Sequence, residues 1–88
     1  MEHEIRLTVA DFKIALYERL TKEDSDISRY VANIRRQRNR GFITAFELFT
    51  SLRSEFNAVL HDIWDDTKYW YDISVAAEEV AFNMVADD

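Results

Sequence analysis

The sequence predicts an all-α fold, a small helical bundle of about four helices. Its 88 residues contain no proline and one glycine, whereas average usage would give roughly four prolines and six glycines. An all-β fold needs both residues at its tight turns. Hydrophobic residues make up 48% of the chain and aromatic residues 14%, which suffices for a packed core. We therefore expect a single helical domain over residues 1–88.

Helix one is predicted at residues 9–22. It begins after Thr8, a residue typical of N-caps, and Asp11 lies in its first turn near the positive end of the helix dipole. Its apolar stripe consists of Val9, Phe12, Leu16 and Leu20. The residues before Thr8 alternate weakly between apolar and polar, which fits a short strand or an extended arm.

Helix two is predicted at residues 26–39. Ser25 or Asp26 can cap its start, and Gly41 is the one residue suited to a left-handed position just past its end. Its apolar positions recur at helical spacing; they are Ile27, Tyr30, Val31 and Ile34.

Helices three and four are predicted at 43–63 and 67–86 from a seven-residue apolar repeat. The a sites are Phe42, Phe49, Phe56, Ile63, Trp70, Ala77 and Met84, and the d sites are Ala45, Leu52, Val59, Asp66, Ile73 and Val80. Asp66 alone is polar. Such a repeat is typical of coiled coils and of helices in left-handed bundles.

Two interpretations of this repeat remain open. Residues 43–86 as one continuous helix would be about 66 Å long and would require a dimer. Alternatively, residues 65–67 (Asp-Asp-Thr) break the helix, and a carboxylate caps the fourth helix. Phenylalanine and tryptophan at a sites fill bundle cores better than narrow two-stranded seams, which favours the hairpin.

Charge is segregated along the chain. Residues 1–26 hold seven acids and four bases, residues 27–54 hold one acid and six bases, and residues 55–88 hold nine acids and one base. The net charges are therefore −3, +5 and −8, which together give −6. The chain has no cysteine and no long apolar run, and its first residues are not basic, so we expect a soluble cytoplasmic protein.

Catalytic and metal-binding motifs are not found in the sequence. His61 and Asp65 are four residues apart and Asp62 lies beside them, but a zinc or di-iron site needs three or four converging ligands. Neither a Glu-x-x-His nor a Gly-rich phosphate-binding motif occurs. We therefore expect a non-enzymatic protein with no catalytic residue, metal or cofactor.

The C-terminal third carries the candidate partner-binding residues. Its acidic face consists of Asp62, Asp65, Asp66, Asp72, Glu78 and Glu79, and its aromatic anchors are Trp64, Tyr71 and Phe82. Carboxylates steer a basic partner and aromatic anchors supply contact area. The expected partner is a larger protein or nucleoprotein with a basic surface, and a membrane is not expected to bind.

In size, acidity and aromatic content the chain is similar to small acidic phage proteins that mimic DNA and occupy the nucleic-acid channel of a host defence enzyme. This resemblance implies an inhibitor or modulator of phage or mobile-element type. The eight carboxylates after residue 60 lie along roughly 40 Å of helix, or one per about 5 Å. Duplex DNA presents one charge per about 1.7 Å, so any mimicry is sparse.

Two alternative functions stay open. The first is a self-assembling structural protein, such as a homodimer, that uses the 42–84 seam as its interface. The second is a nucleic-acid binder, because Arg29, Arg36 and Arg40 fall on one helical stripe and arginine binds phosphate in a bidentate manner. Those arginines also suit a helix C-terminus and could pair with the acidic last third.

Overall fold

The computed structural model describes residues 6–22 and 25–87 and confirms the predicted helical bundle. Its helices are α1 (Val9–Leu20), α2 (Asp26–Asn39), α3 (Ala45–Ile63) and α4 (Trp70–Ala86). A short 3₁₀ helix, Thr67–Tyr69, runs directly into α4, so residues 67–86 form one helical segment. The described residues contain no strand. Of the alternating residues before Thr8, residues 1–5 lie outside the described part.

Capping boxes fix the first residues of α1 and α3. The backbone N–H of Thr8 donates to the Asp11 carboxylate at 2.8 Å, as expected for the predicted cap. At α3, the Thr44 N–H donates to Glu47 Oε1 at 3.0 Å, and the Glu47 N–H donates to Thr44 Oγ1 at 3.1 Å. This reciprocal pair satisfies N–H groups that the first turn leaves open. It sets the start of α3 at Ala45, two residues after the predicted start.

The end of α2 is a Schellman motif around the single glycine. Gly41 has φ +78° and its N–H donates to Arg38 O at 3.0 Å. The Phe42 N–H donates to Gln37 O at 2.9 Å. These two bonds satisfy carbonyls that the helix end leaves open. The predicted role of Gly41 is confirmed, and Ser25 is the residue that caps the start of α2.

The chain turns between α3 and α4, so the hairpin interpretation is correct and one continuous helix over 43–86 is wrong. Trp64 and Asp66 both adopt extended backbone conformations, with ψ of 92° and 119°. Asp66 Oδ1 accepts a hydrogen bond from the Lys68 N–H at 3.1 Å and thereby caps the 3₁₀ turn. The predicted carboxylate cap is Asp66.

Helix α3 lies at the centre and packs against both α2 and α4, while α1 packs mainly on α4. Ion pairs Arg6–Asp72 and Lys13–Glu79 show that α1 and α4 run in the same direction. The buried core consists of Phe12, Leu16, Ile27, Val31, Ile34, Leu48, Leu52, Phe56, Leu60, Tyr69, Ile73, Ala76, Ala77, Val80 and Ala81. The described part measures 56 × 25 × 20 Å, with a radius of gyration of 14.1 Å. A compact chain of this length would have about 12 Å, so the molecule is elongated.

The buried face of α3 does not follow the seven-residue repeat. Its fully buried residues are spaced by four; they are Leu48, Leu52, Phe56 and Leu60. The a-site residues Phe42 and Trp70 are exposed, because Phe42 precedes α3 and Trp70 faces outward at the start of α4. On α4 the repeat agrees better, since Ile73, Ala77 and Val80 are buried. The seven-residue repeat keeps its register across the turn, but its residues do not form one continuous buried surface.

Candidate protein-binding surface

The turn between α3 and α4 combines carboxylates with exposed aromatic rings. We call this surface the acidic turn and define it by Asp62, Asp65, Asp66, Trp70 and Tyr71. The side chains of Trp70 and Tyr71 are 51% and 78% exposed. All three aspartates are exposed. The ten residues 62–71 thus carry three carboxylates and two large exposed aromatic rings at one end of the hairpin.

The three aspartates have different local roles. Asp66 caps the 3₁₀ turn and lies 3.8 Å from the Lys68 ammonium group, so part of its charge is compensated. Asp62 and Asp65 form no ion pair with any residue that the structure describes. Asp62 lines a groove with Arg19 and Asp26 on the α2 side of α3, whereas Asp65 lies in the turn itself. Both side chains are exposed, so a basic partner can reach them.

The ring of Trp70 is oriented by a neighbour from α3. The ring of His61 meets it edge to face with centroids 5.8 Å apart. Aromatic pairs in this geometry gain about 0.5–1.5 kcal/mol beyond their burial. Tyr71 is the next residue of the same helix turn. The two rings therefore stand on a helical segment that is already formed before any partner binds.

The predicted acidic face is not continuous, because the remaining acids lie on two other sides of α4. Asp72 is 3.9 Å from Arg6, and Glu79 is 3.2 Å from Lys13, so both contact α1 or the chain preceding it. Glu78 lines a groove shared with α3 and also a second groove that includes Lys13 and Glu79. Among the described residues Glu78 has no ion pair.

The three predicted aromatic anchors also have different surroundings. Trp64 is partly buried and packs on the core, where its ring meets Phe12 edge to face at 5.1 Å. Helix α1 therefore covers part of this predicted anchor. Tyr71 and Phe82 remain exposed, Phe82 at 63%. Of the predicted anchors, only these two are accessible to a partner, and Tyr71 alone belongs to the acidic turn.

A polar groove between α3 and α4 was missed by the sequence reasoning. It is open, has a volume of about 380 Å³, and is lined by Arg53, Ser54, Asn57, Ser74 and Glu78. The Asn57 Oδ1 atom is buried without a hydrogen-bond partner. A signal did exist in the sequence, because Phe46, Arg53 and Asn57 recur at i, i+7 and i+11 on one side of α3.

The arginine stripe of α2 is exposed and mostly unpaired. Arg29 forms an ion pair with Asp26 in the first turn of the same helix. Arg36 and Arg40 are exposed and have no ion pair among the described residues. The buried residues of α2 face α3, so helical spacing places the stripe on the opposite side. The ion pair that Arg29 makes is local and does not involve the acidic last third.

Within residues 6–22 and 25–87, no three His, Asp or Glu side chains are grouped closely enough to hold a metal ion. Across the same residues, no helix is both long and apolar enough to cross a membrane. His61, the central residue of the metal site considered from the sequence, contacts the Trp70 ring instead.

Comparisons with protein-family models, with curated proteins and with solved structures found no match to this chain. Its functional interpretation therefore depends on its own residues and their arrangement.

Proposed function

We propose that the protein is a non-enzymatic, cytoplasmic binding protein that acts on a larger protein or nucleoprotein through the acidic turn. Its partner presents a basic surface, and its role is that of an inhibitor or modulator of phage or mobile-element type. The observation that carries the proposal is the exposure of Trp70 and Tyr71 at the same end of the hairpin as Asp62 and Asp65, which form no ion pair among the described residues.

Exposed aromatic rings favour a binding role here because the core does not need them. Phe12, Phe56 and Tyr69 already fill the bundle interior, and no buried polar residue interrupts the described core. Tryptophan and tyrosine are enriched among the few interface residues that dominate binding energy. Trp70 and Tyr71 would enter pockets or grooves on the partner.

The aspartates favour a basic partner surface. Unpaired carboxylates next to aromatic anchors raise the association rate with a positively charged surface and keep wrong partners away. A protein surface that normally binds nucleic acid has this chemistry. The protein would then compete with nucleic acid by occupying the same site, although with a lower density of charge than DNA presents.

The test begins with affinity capture from lysate of the source cells, using four baits in parallel. These are the wild type, Tyr71→Ala, Phe42→Ala and Asp65→Lys. Phe42 is a matched control because its ring is 71% exposed but lies before α3, outside the acidic turn. A protein retained by the wild type and by Phe42→Ala, and depleted by the other two baits, qualifies as the partner.

Binding kinetics with the purified partner then separate the contribution of the charged residues from that of the aromatic ring. We expect Asp65→Lys to slow association, with the difference shrinking at high salt, because charge mainly affects the encounter rate. Tyr71→Ala should speed dissociation. Asp87→Lys, at the far end of α4, is the charge control. If no captured protein distinguishes these baits, or if all variants bind with equal kinetics, the proposed function is wrong.

Nucleic-acid binding is a second candidate function, favoured by Arg36 and Arg40, which are exposed and form no ion pair within the described part of the chain. Side chains that contact phosphates make affinity fall steeply with salt. Binding of DNA or RNA that weakens with salt and is abolished by Arg36→Glu would support this function. Equal binding by Arg36→Glu would exclude it.

A further inference from the structure

We propose that two copies of this chain associate through the open side of the α3–α4 hairpin and form a symmetric dimer with a four-helix bundle at its centre. We call this surface the hairpin face; it consists of Phe46, Arg53 and Asn57 from α3 and Ser74, Glu78 and Phe82 from α4. The proposal is independent of the partner proposed for the acidic turn, because it concerns a different part of the hairpin.

The central groove of the hairpin face is lined by α3 and α4 alone. Helix α1 packs along the flank of α4 that carries Asp72 and Glu79. Helix α2 packs against the flank of α3 that carries Glu55 and Val59. The groove of Arg53, Asn57, Ser74 and Glu78 is lined by no described residue of α1 or α2. At the outer edge of this face, Glu78 and Phe82 also line a groove with Lys13 of α1.

Exposed phenylalanines mark this face as an interface. The side chains of Phe46 and Phe82 are 72% and 63% exposed. Helical spacing places Phe46 on the same side of α3 as Arg53, and Phe82 on the same side of α4 as Glu78. Large apolar side chains grouped on one surface and bordered by polar residues are typical of protein–protein contacts.

The groove relates the heights of α3 and α4. Arg53, Asn57, Ser74 and Glu78 line this one groove. Because the two helices are antiparallel, Arg53 lies toward the Glu78 end of the groove and Asn57 toward the Ser74 end. Continuing this register by seven residues from Arg53 places Phe46 level with Val85, about 4.5 Å beyond Phe82. The groove therefore combines opposite charges from α3 and α4.

A two-fold axis parallel to the helices makes the face self-complementary. Such an axis places α3 of one copy opposite α4 of the second copy at the same height. Arg53 of each copy then faces Glu78 of the other, and Phe46 lies about one helical turn from the level of Phe82 of the other. A two-fold axis perpendicular to the helices would place α3 of one copy opposite α3 of the other. Arg53 of one copy would then not face Glu78 of the other. Charge complementarity therefore selects the parallel arrangement.

The size of the face predicts a dimer that dissociates on dilution. Helix α3 has 19 residues and is about 28 Å long, and two packed helices are roughly 20 Å wide. About 560 Å² per copy, or roughly 1,100 Å² in total, would be buried, which is at the low end for specific complexes. We therefore expect a dissociation constant in the micromolar range.

The test measures the mass of the purified full chain by sedimentation velocity from about 5 to about 500 µM. We expect the mass to rise from 10.5 kDa to twice that value. Arg53→Glu and Glu78→Arg should each weaken association roughly tenfold or more, because like charges then face each other. An equimolar mixture of the two variants, and the double variant, should recover it. Arg36→Glu on α2 is the control, and circular dichroism verifies that every variant is helical.

Spin labels distinguish the two symmetric arrangements. The chain contains no cysteine, so Thr67→Cys introduces one labelling site per copy at the turn end. The parallel dimer keeps both labels at one end, whereas the antiparallel dimer separates them by about 28 Å more along the bundle. The proposal is wrong if the protein is a monomer at all concentrations, or if the charge reversals leave dimer formation unchanged. It is also wrong if mixing the two variants does not restore the dimer, or if the two labels show the longer separation.

Discussion

The ring of Phe12 meets the edge of the Trp64 ring at a centroid distance of 5.1 Å and an interplanar angle of 79°. The same phenylalanine also contacts the Tyr69 ring at 5.3 Å. Trp64 ends α3 and Tyr69 precedes α4, so one side chain of α1 connects both sides of the turn. The fold of the hairpin and the packing of α1 are therefore coupled through this aromatic cluster.

Phe12→Ala should destabilise the protein by about 3–5 kcal/mol, because it removes a fully buried ring together with two edge-to-face contacts. Chemical denaturation followed by circular dichroism measures the change. Phe42→Ala is the matched control; its ring is mostly exposed, so we expect a change within about 0.5 kcal/mol. Equal losses for the two variants would contradict the described core.

Asp66→Ala should destabilise the turn by about 0.5–2 kcal/mol, since Asp66 Oδ1 caps the 3₁₀ helix that leads into α4. Asp66→Asn keeps an acceptor oxygen and should retain most of the stability. Asp65→Ala is the control, because Asp65 is exposed and makes no such bond among the described residues. A larger loss for Asp65→Ala than for Asp66→Ala in thermal denaturation would refute the assignment of the cap.

Gly41→Ala should cost roughly 1 kcal/mol, and the cause is backbone strain alone. Gly41 has φ +78°, and a methyl group added there would meet no atom within 4 Å. Non-glycine residues adopt positive φ at a cost, and asparagine tolerates it better than alanine. Gly41→Asn should therefore be more stable than Gly41→Ala when the two are compared by denaturation. The reverse order would contradict a left-handed position here.

The helices could be predicted from the sequence because their signals are local. Thr8, Ser25 and Gly41 act as caps through hydrogen bonds with residues three positions away. The apolar stripes at helical spacing, together with the lack of proline, then indicate helices. The start of α3 was predicted two residues early because Phe42 occupies the first site of the apolar repeat. The capping box of Thr44 and Glu47 determined the start instead.

The surface could be predicted only in part because burial depends on which helix covers which side. Trp64, Tyr71 and Phe82 have the same apolar character, yet α1 covers only Trp64. Among the acids, Asp72 and Glu79 contact basic groups from the N-terminal segment, which no spacing along α4 predicts. The groove at Asn57 likewise exists only because two helices meet there.

The ion pair of Lys13 with Glu79 gives a direct test of which acidic residues of α4 contact α1. Their charged atoms are 3.2 Å apart and both side chains are partly exposed, so the coupling should be about 0.2–1 kcal/mol. A double-mutant cycle with Lys13→Met and Glu79→Gln measures it by denaturation. The coupling should shrink in about 0.5 M salt, because screening weakens exposed ion pairs. The same cycle with Glu78→Gln should show a smaller coupling, because Glu78 lines the same groove as Lys13 but the ion pair is with Glu79. Coupling to Glu78 of the same size would contradict Glu79 as the residue that pairs with Lys13.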